Sequence, residues 1–250
     1  MKVKWVIPVV ILCLLKEVET WNKFCSVICS SQQCNSEAFG DCTQCASPWT
    51  WNPTTSVCEI LPASGWGLVD FSPNEGGGLV TAASSTATCG PQSGGSQWTY
   101  TYIGNLTGTG NTTFSDSAGC SLPHYQLRII VWFILIDNWQ GSDILKVTLE
   151  GNQTKTQTRN SRQANEKTCG NGGDNEDYVR FDQTYTHNTS TPYDIDISTT
   201  NTNSKWGIRE VMVLAKLCHP ACLSCFGSLV SQCTSCEQDT PMWLSNTTCN

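Results

Sequence analysis

The feature that most constrains this chain is a pattern of cysteines that occurs twice, once near each end. Cys25, Cys29, Cys34, Cys42, Cys45 and Cys58 are separated by three, four, seven, two and twelve residues, and Cys218, Cys222, Cys225, Cys233, Cys236 and Cys249 by three, two, seven, two and twelve. Four of the five gaps agree, and the filling agrees as well: "CTQCASPWTWNPTTSVC" stands where "CTSCEQDTPMWLSNTTC" stands in the second copy. A module has been used twice. A unit of this size buries too little apolar surface to fold on a core alone and depends on staples.

The staples are read as disulfides. Paired CxxC knuckles also occur in zinc sites, but the seven-residue gap is shorter than a zinc ribbon uses and six thiols exceed four ligands. His219 has no counterpart in the first copy, where Ser26 follows the first cysteine. A redox CxxC needs a surrounding α/β fold that these segments lack. Spacing leaves the connectivity open, since six cysteines allow fifteen pairings.

The start of the chain sets the compartment. In "MKVKWVIPVVILCLL" two lysines precede an apolar run from Trp5 to Leu15, and Val18 and Thr20 occupy the small-residue positions of a cleavage site, so residues 1–20 read as a secretory signal peptide. Eleven apolar residues are too few to span a bilayer, and "LRIIVWFILI" (127–136) suits a buried strand better than a membrane span. The expectation is a secreted, extracellular or cell-surface chain with no membrane span after cleavage. Loss of the leader moves the formal charge from -7 to -8 and leaves fifteen of the sixteen cysteines. That odd number requires one thiol that is unpaired or bonded to another chain, with Cys89, Cys120 and Cys169 as the candidates. An acidic chain without a basic cluster argues against nucleic acid as a partner.

Four segments follow: the leader (1–20), an N-terminal cysteine-rich module (21–58), a middle domain (59–217) and a C-terminal cysteine-rich module (218–250). The middle domain shows no long helical periodicity. Its apolar or alternating runs are "GWGLVDF" (65–71), "QWTYTYI" (97–103), "YQLRIIVWFILI" (125–136), "ILKVTLE" (144–150), "YVRFDQTY" (178–185), "YDIDIS" (193–198) and "WGIREVMVLAKL" (206–217), separated by Gly- and Asn-bearing turns. The series predicts an all-β, jelly-roll-like antiparallel sandwich flanked by the two disulfide-rich modules. Leu145, Val147 and Leu149, and likewise Tyr193, Ile195 and Ile197, point inward from strands with one wet face, whereas the unalternating "IIVWFILI" is a central strand covered on both sides.

"CHPACLSCFGSLVSQCTSCEQDTPMWLSNTTC" resembles the furin-like, growth-factor-receptor type cysteine-rich repeat found in secreted and surface proteins of ciliates and other protists. The resemblance implies that Cys218 pairs with Cys225, Cys222 with Cys233 and Cys236 with Cys249, the first module departing from the repeat in its four-residue second gap. "SLPHYQLRIIVWFILIDNWQGSD", then "CG", "YTHNTS" and "KWGIREVMVLAKLC" resemble, in order, a domain that precedes such repeats in protist surface proteins. This implies an extracellular β-sandwich packed on the repeat.

Candidate chemistry is sparse. Asp137, Asn138 and Asp143 offer oxygen ligands for calcium as a candidate cofactor, although Gln140 stands where that domain carries a second acid and a solvated acidic loop is the blander account. Trp66, Trp98, Trp139 and Trp206 are candidate sugar-stacking platforms, with core packing the commoner job. Sequons at Asn105, Asn111, Asn152, Asn188 and Asn246 fall in predicted turns or in the last cysteine hoop. His124, His187 and His219 sit in no recognisable hydrolase, zincin or P-loop motif, so no catalytic residue is assigned and the chain is read as non-enzymatic. The leading expectation is a structural glycoprotein that associates head to tail with copies of itself into a surface filament, appendage or coat. The alternative is a lectin-like or calcium-dependent adhesion module whose partners are glycans or other extracellular proteins.

Overall fold

The computed structural model describes residues 26, 28–30, 34, 42–60, 64–72, 80–81, 86–89, 100–107, 110–116, 120, 122–136, 139, 142–158, 176–188, 191–203, 205–236, 244–245 and 248–249. Residues 1–20, expected to form a leader, lie outside them, and among them no helix is long and apolar enough to cross a membrane. Seventeen strands follow in chain order: β1 (Trp49–Asn52), β2 (Val57–Ile60), β3 (Trp66–Ser72), β4 (Val80–Thr81), β5 (Thr86–Cys89), β6 (Tyr100–Thr107), β7 (Asn111–Asp116), β8 (His124–Ile136), β9 (Ile144–Leu149), β10 (Gln153–Thr158), β11 (Asp177–Thr186), β12 (Tyr193–Thr199), β13 (Lys205–Leu217), β14 (Cys222–Cys225), β15 (Cys233–Cys236), β16 (Leu244–Ser245) and β17 (Thr248–Cys249).

Two antiparallel sheets form a jelly-roll-like sandwich. One runs β10-β9-β12-β7-β4 and the other β11-β8-β13-β6-β5. Along one edge β13 changes partner, its first half pairing β6 and its second half β3. Between the sheets lie Leu127, Ile129, Val131 and Phe133 of β8, Leu145, Val147 and Leu149 of β9, Phe114 of β7, Ile195 and Ile197 of β12, and Trp206, Ile208, Val211 and Val213 of β13. The inward residues of β13 change parity after Ile208 because the register slips between Ile208 and Val211. That bulge lets one long strand keep apolar residues on the core side along its length.

The central strand of the larger sheet is covered twice. Ile130 of β8 with Met212 and Leu214 of β13 project from its outer face into a second cluster with Ile28, Cys29, Cys42, Ala46, Trp49 and Cys58. The N-terminal module therefore lies on the sandwich and covers Ile130, while Tyr102 packs over Ile134 and Ile136 further along the same face; together they are the physical reason "IIVWFILI" never alternates. A close approach of β6 and β13 completes the sheet. Gly104 and Gly207 stand opposite each other, and a Cβ on either would overlap the Tyr102 ring that lies across both.

Disulfides join Cys29 to Cys42, Cys45 to Cys58, Cys218 to Cys225 and Cys222 to Cys233. Cys34 and Cys236 are disulfide-bonded as well. Of those four bonds, the one from the second cysteine to the fourth recurs in both modules. So many disulfides mark an oxidising, extracellular setting. Cys120 is buried in the sandwich core, its Sγ 3.6 Å from the Leu122 carbonyl.

Candidate functional site

The outer face of the five-stranded sheet is a broad polar surface among the described residues. Alternation puts Asn111, Thr113 and Ser115 of β7, Asp194, Asp196 and Ser198 of β12, and Lys146 and Thr148 of β9 on that side, opposite the buried Phe114, Ile195, Ile197 and Val147. Register sets Asp194 against Ser115, and Asp196 between Thr113 and Thr148. Thr113 Oγ1 donates to Asp196 Oδ1 and Ser115 Oγ to Asp194 Oδ1, each at 2.6 Å. Each carboxylate is thus held by one oxygen, while the second makes no hydrogen bond among the described residues. Further across, the Thr148 and Thr154 hydroxyls meet at 2.9 Å. The arrangement is a row of fixed acceptors and hydroxyls, suited to a ligand rich in O–H groups. Asp194 and Asp196 stand two residues apart on one strand, about 7 Å between their Cα atoms.

A second constellation lies inside the sandwich. His124 opens β8 and His187 follows β11; their rings lie edge to edge, nearly parallel, with centroids 5.0 Å apart and His124 Nε2 2.7 Å from His187 Nδ1. His124 Nδ1 lies 2.6 Å from the Leu122 carbonyl, and His187 Nε2 lies 3.3 Å from Glu150 Oε1 in the β9–β10 turn. The carbonyl only accepts, so His124 carries its proton on Nδ1 and accepts at Nε2 from His187 Nδ1–H. His187 Nε2 then faces the carboxylate. Burial holds both imidazoles below the ordinary histidine value; for His124 the Leu122 carbonyl opposes this and His187 adds to it, and for His187 Glu150 opposes it. Nearby, Tyr185 donates its hydroxyl to the Val147 carbonyl at 2.9 Å, and burial raises its pKa.

A third feature is an apolar cavity of about 250 Å³ where the sandwich meets the C-terminal module, lined by Leu122, Pro123 and Leu217 on one side and His219, Pro220 and Leu223 on the other. Phe226 and Leu229, on the same module, are exposed.

The tryptophans divide. Trp206 is fully buried and Trp139 nearly so, its indole N–H donating to the Lys205 carbonyl at 2.9 Å, so both pack the core rather than offer a platform to a sugar. Trp66 is half-buried, with Lys216 Nζ 5.0 Å and Arg128 5.9 Å from its ring; Trp98 lies outside the described residues. Of the calcium candidates Asp137 and Asn138 lie outside them too, and Asp143 accepts a 2.6 Å hydrogen bond from Asn201. Among the described residues no group of three or more His, Cys, Asp or Glu could hold a metal ion. Asn111, Asn152 and Asn188 are exposed and Asn246 lies outside the description. Asn105 falls within β6 and Asn111 opens β7, not in turns, because the "QWTYTYI" strand runs on through Gly104 to Thr107.

No family model matches the chain, and no curated protein matches it. Among solved structures it is similar to an exo-beta-1,3-galactanase from Phanerochaete chrysosporium (13% identity, TM-score 0.36, covering 68% of this chain and 34% of that one). It is also similar to the CBM22-1 xylan-binding domain from Paenibacillus barcinonensis (9%, 0.36, 61% and 97%). A third is the carbohydrate-binding module CBM6cm-2 of Cellvibrio mixtus lichenase 5A in complex with cellotriose (10%, 0.35, 59% and 97%). The chain spans about a third of the galactanase. At these scores the likenesses carry no functional argument.

Proposed function

We propose that this protein is a non-catalytic, extracellular, lectin-like binding module that takes hydroxyl-rich ligands, saccharides above all, on the outer face of its five-stranded sheet. The observation that carries the reading is the pair Asp194 and Asp196, each pinned through one oxygen by Ser115 or Thr113 and open at the other. Hydrogen bonds from sugar hydroxyls to a charged acceptor contribute about 1.5–3 kcal/mol each, and a preset acceptor binds without the cost of ordering it. Lys146, Thr148 and Ser198 add donors on the same face.

The filament or coat expected from modules at both ends has no observation in its favour. The N-terminal module covers the sandwich of its own chain instead of standing free for a neighbour. The test is a screen of soluble polysaccharides by affinity electrophoresis with the wild type and Asp196→Ala. Retention by a polysaccharide that the variant loses at least tenfold supports the reading; no retention, or equal retention by both proteins, refutes it.

A further inference from the structure

We propose that the chain of contacts Leu122–His124–His187–Glu150 is an acid-opened latch that fastens the C-terminal cysteine module and the β9–β10 turn to the sandwich. It spans both sheets: His124 and His187 flank the paired strands β8 and β11, and Glu150 belongs to the hairpin of β9 and β10 in the other sheet. At one end the latch holds residues 122–124. Cys218, the first cysteine of the C-terminal module, donates its amide to the Pro123 carbonyl at 2.9 Å, and Leu122 and Pro123 form the sandwich wall of the cavity shared with that module.

At the other end it holds a strained turn. Glu150 adopts φ 51° and Gly151 φ 67°, and a left-handed conformation at a residue other than glycine persists where its surroundings enforce it. The Glu150 amide bonds the Asp194 carbonyl at 2.9 Å, and its Oε1 lies 3.3 Å from His187 Nε2.

Protonation decides whether the chain closes. A first proton, on His187 Nε2, is donated to Glu150 Oε1 and leaves the His187–His124 and His124–Leu122 bonds in place. A second proton has only His124 Nε2 to occupy, which sets two N–H groups against each other across 2.7 Å between two cations. The middle bond then breaks. Among the described residues, Glu150 of the β9–β10 turn and Tyr193 of β12, whose ring meets His187 edge-on at 5.7 Å, are titratable groups facing the pair. Both imidazoles lie below their ordinary pKa through burial, so the opened form binds protons more readily and acid favours opening. The latch is independent of what the sheet face binds.

The experiment is amide hydrogen exchange by NMR on the full chain with disulfides intact, at about pH 7.5 and about pH 5, corrected for intrinsic exchange. Protection at the Cys218 and Glu150 amides is expected to fall at least tenfold relative to the β8 amides Ile129 to Val131 in the wild type, and not in His187→Gln. Unchanged protection in the wild type, or an equal fall in the variant, overturns the latch. Should the variant not fold, the wild-type imidazole resonances decide. His124 and His187 titrating over the range in which protection falls support it, and a fall while both stay neutral overturns it.

Discussion

Ser26 Oγ donates to Glu210 Oε2 at 3.1 Å, a buried contact between the N-terminal module and β13 across 184 residues of sequence. The contact sits beside the apolar seal that Ile28, Trp49 and Cys58 make over Ile130, Met212 and Leu214. The module is therefore part of the packing of the sandwich, which has a consequence for its disulfides.

Removing the Cys45–Cys58 bond, by Cys45→Ala with Cys58→Ala, frees a loop whose ends are 13 residues apart. The loop-closure term alone predicts a loss of about 3 kcal/mol. Because the hairpin covers the outer face, the variant is also expected to bind an apolar dye such as anilinonaphthalene sulfonate under native conditions. Urea unfolding measures the first effect and dye fluorescence the second; unchanged fluorescence would contradict the covering role.

Gly207→Ala tests the approach of β6 and β13. The new methyl would overlap the Tyr102 ring and sit 3.0 Å from the Ile103 carbonyl oxygen, an overpacking expected to cost about 1–3 kcal/mol. At Gly151 a Cβ meets nothing within 4 Å, so Gly151→Ala should lose only the roughly 1 kcal/mol that its left-handed backbone imposes. Paired urea midpoints rank the two.

Asp182 accepts hydrogen bonds from Nε and Nη2 of Arg128 at 2.7 and 2.8 Å and is also ion-paired with Arg180, whose Nη2 lies 3.1 Å away. Burial lowers the Arg180 pKa, Asp182 opposes that, and Arg128 adds to it. Asp182→Asn leaves two cations without their shared anion, so it should destabilise more than Arg180→Ala, by roughly 1–2 kcal/mol once partial exposure is allowed for. Equal losses would show that the carboxylate is not the shared element.

Stability should fall at both pH extremes, for different groups. His124 and His187 titrate below their ordinary value in the folded chain, so the unfolded chain binds protons first and stability is lost as the pH drops below about 6.5. Tyr185 is raised by burial, so the unfolded chain ionises first and stability falls as the pH climbs past about 10. Thermal midpoints across the range should show both limbs, with His187→Gln flattening the acid one and Tyr185→Phe the alkaline one.

Much of the architecture was legible because it is written in apolar periodicity. The seven strands expected of the middle domain are all present, and the unbroken apolar run of β8 correctly implied cover on both faces. What covered it was not legible, since Ile28 and Trp49 lie in a segment dominated by its cysteines. Strands β7 and β10 were invisible for a related reason: "NTTFSD" has a single apolar residue, Phe114, and "QTKTQT" has none. Phe114 is fully buried all the same, while β10 is an edge strand carried by its pairing with β9. Half of the candidate site went with them. Asp194 and Asp196 were recognisable as the wet side of β12, but the hydroxyls that fix them belong to β7. Glu150 gave no sign either, because its meeting with His187 depends on a turn in the opposite sheet.

The central claim is that saccharides bind on the outer face of the five-stranded sheet. It is tested most directly by NMR chemical-shift mapping with a polysaccharide that the wild type retains. The account predicts that the perturbed amides cluster at Thr113, Ser115, Asp194 and Asp196 and that Asp194→Ala with Asp196→Ala abolishes them. Perturbations confined to the cysteine modules or the junction cavity, or unaffected by that double substitution, would contradict it.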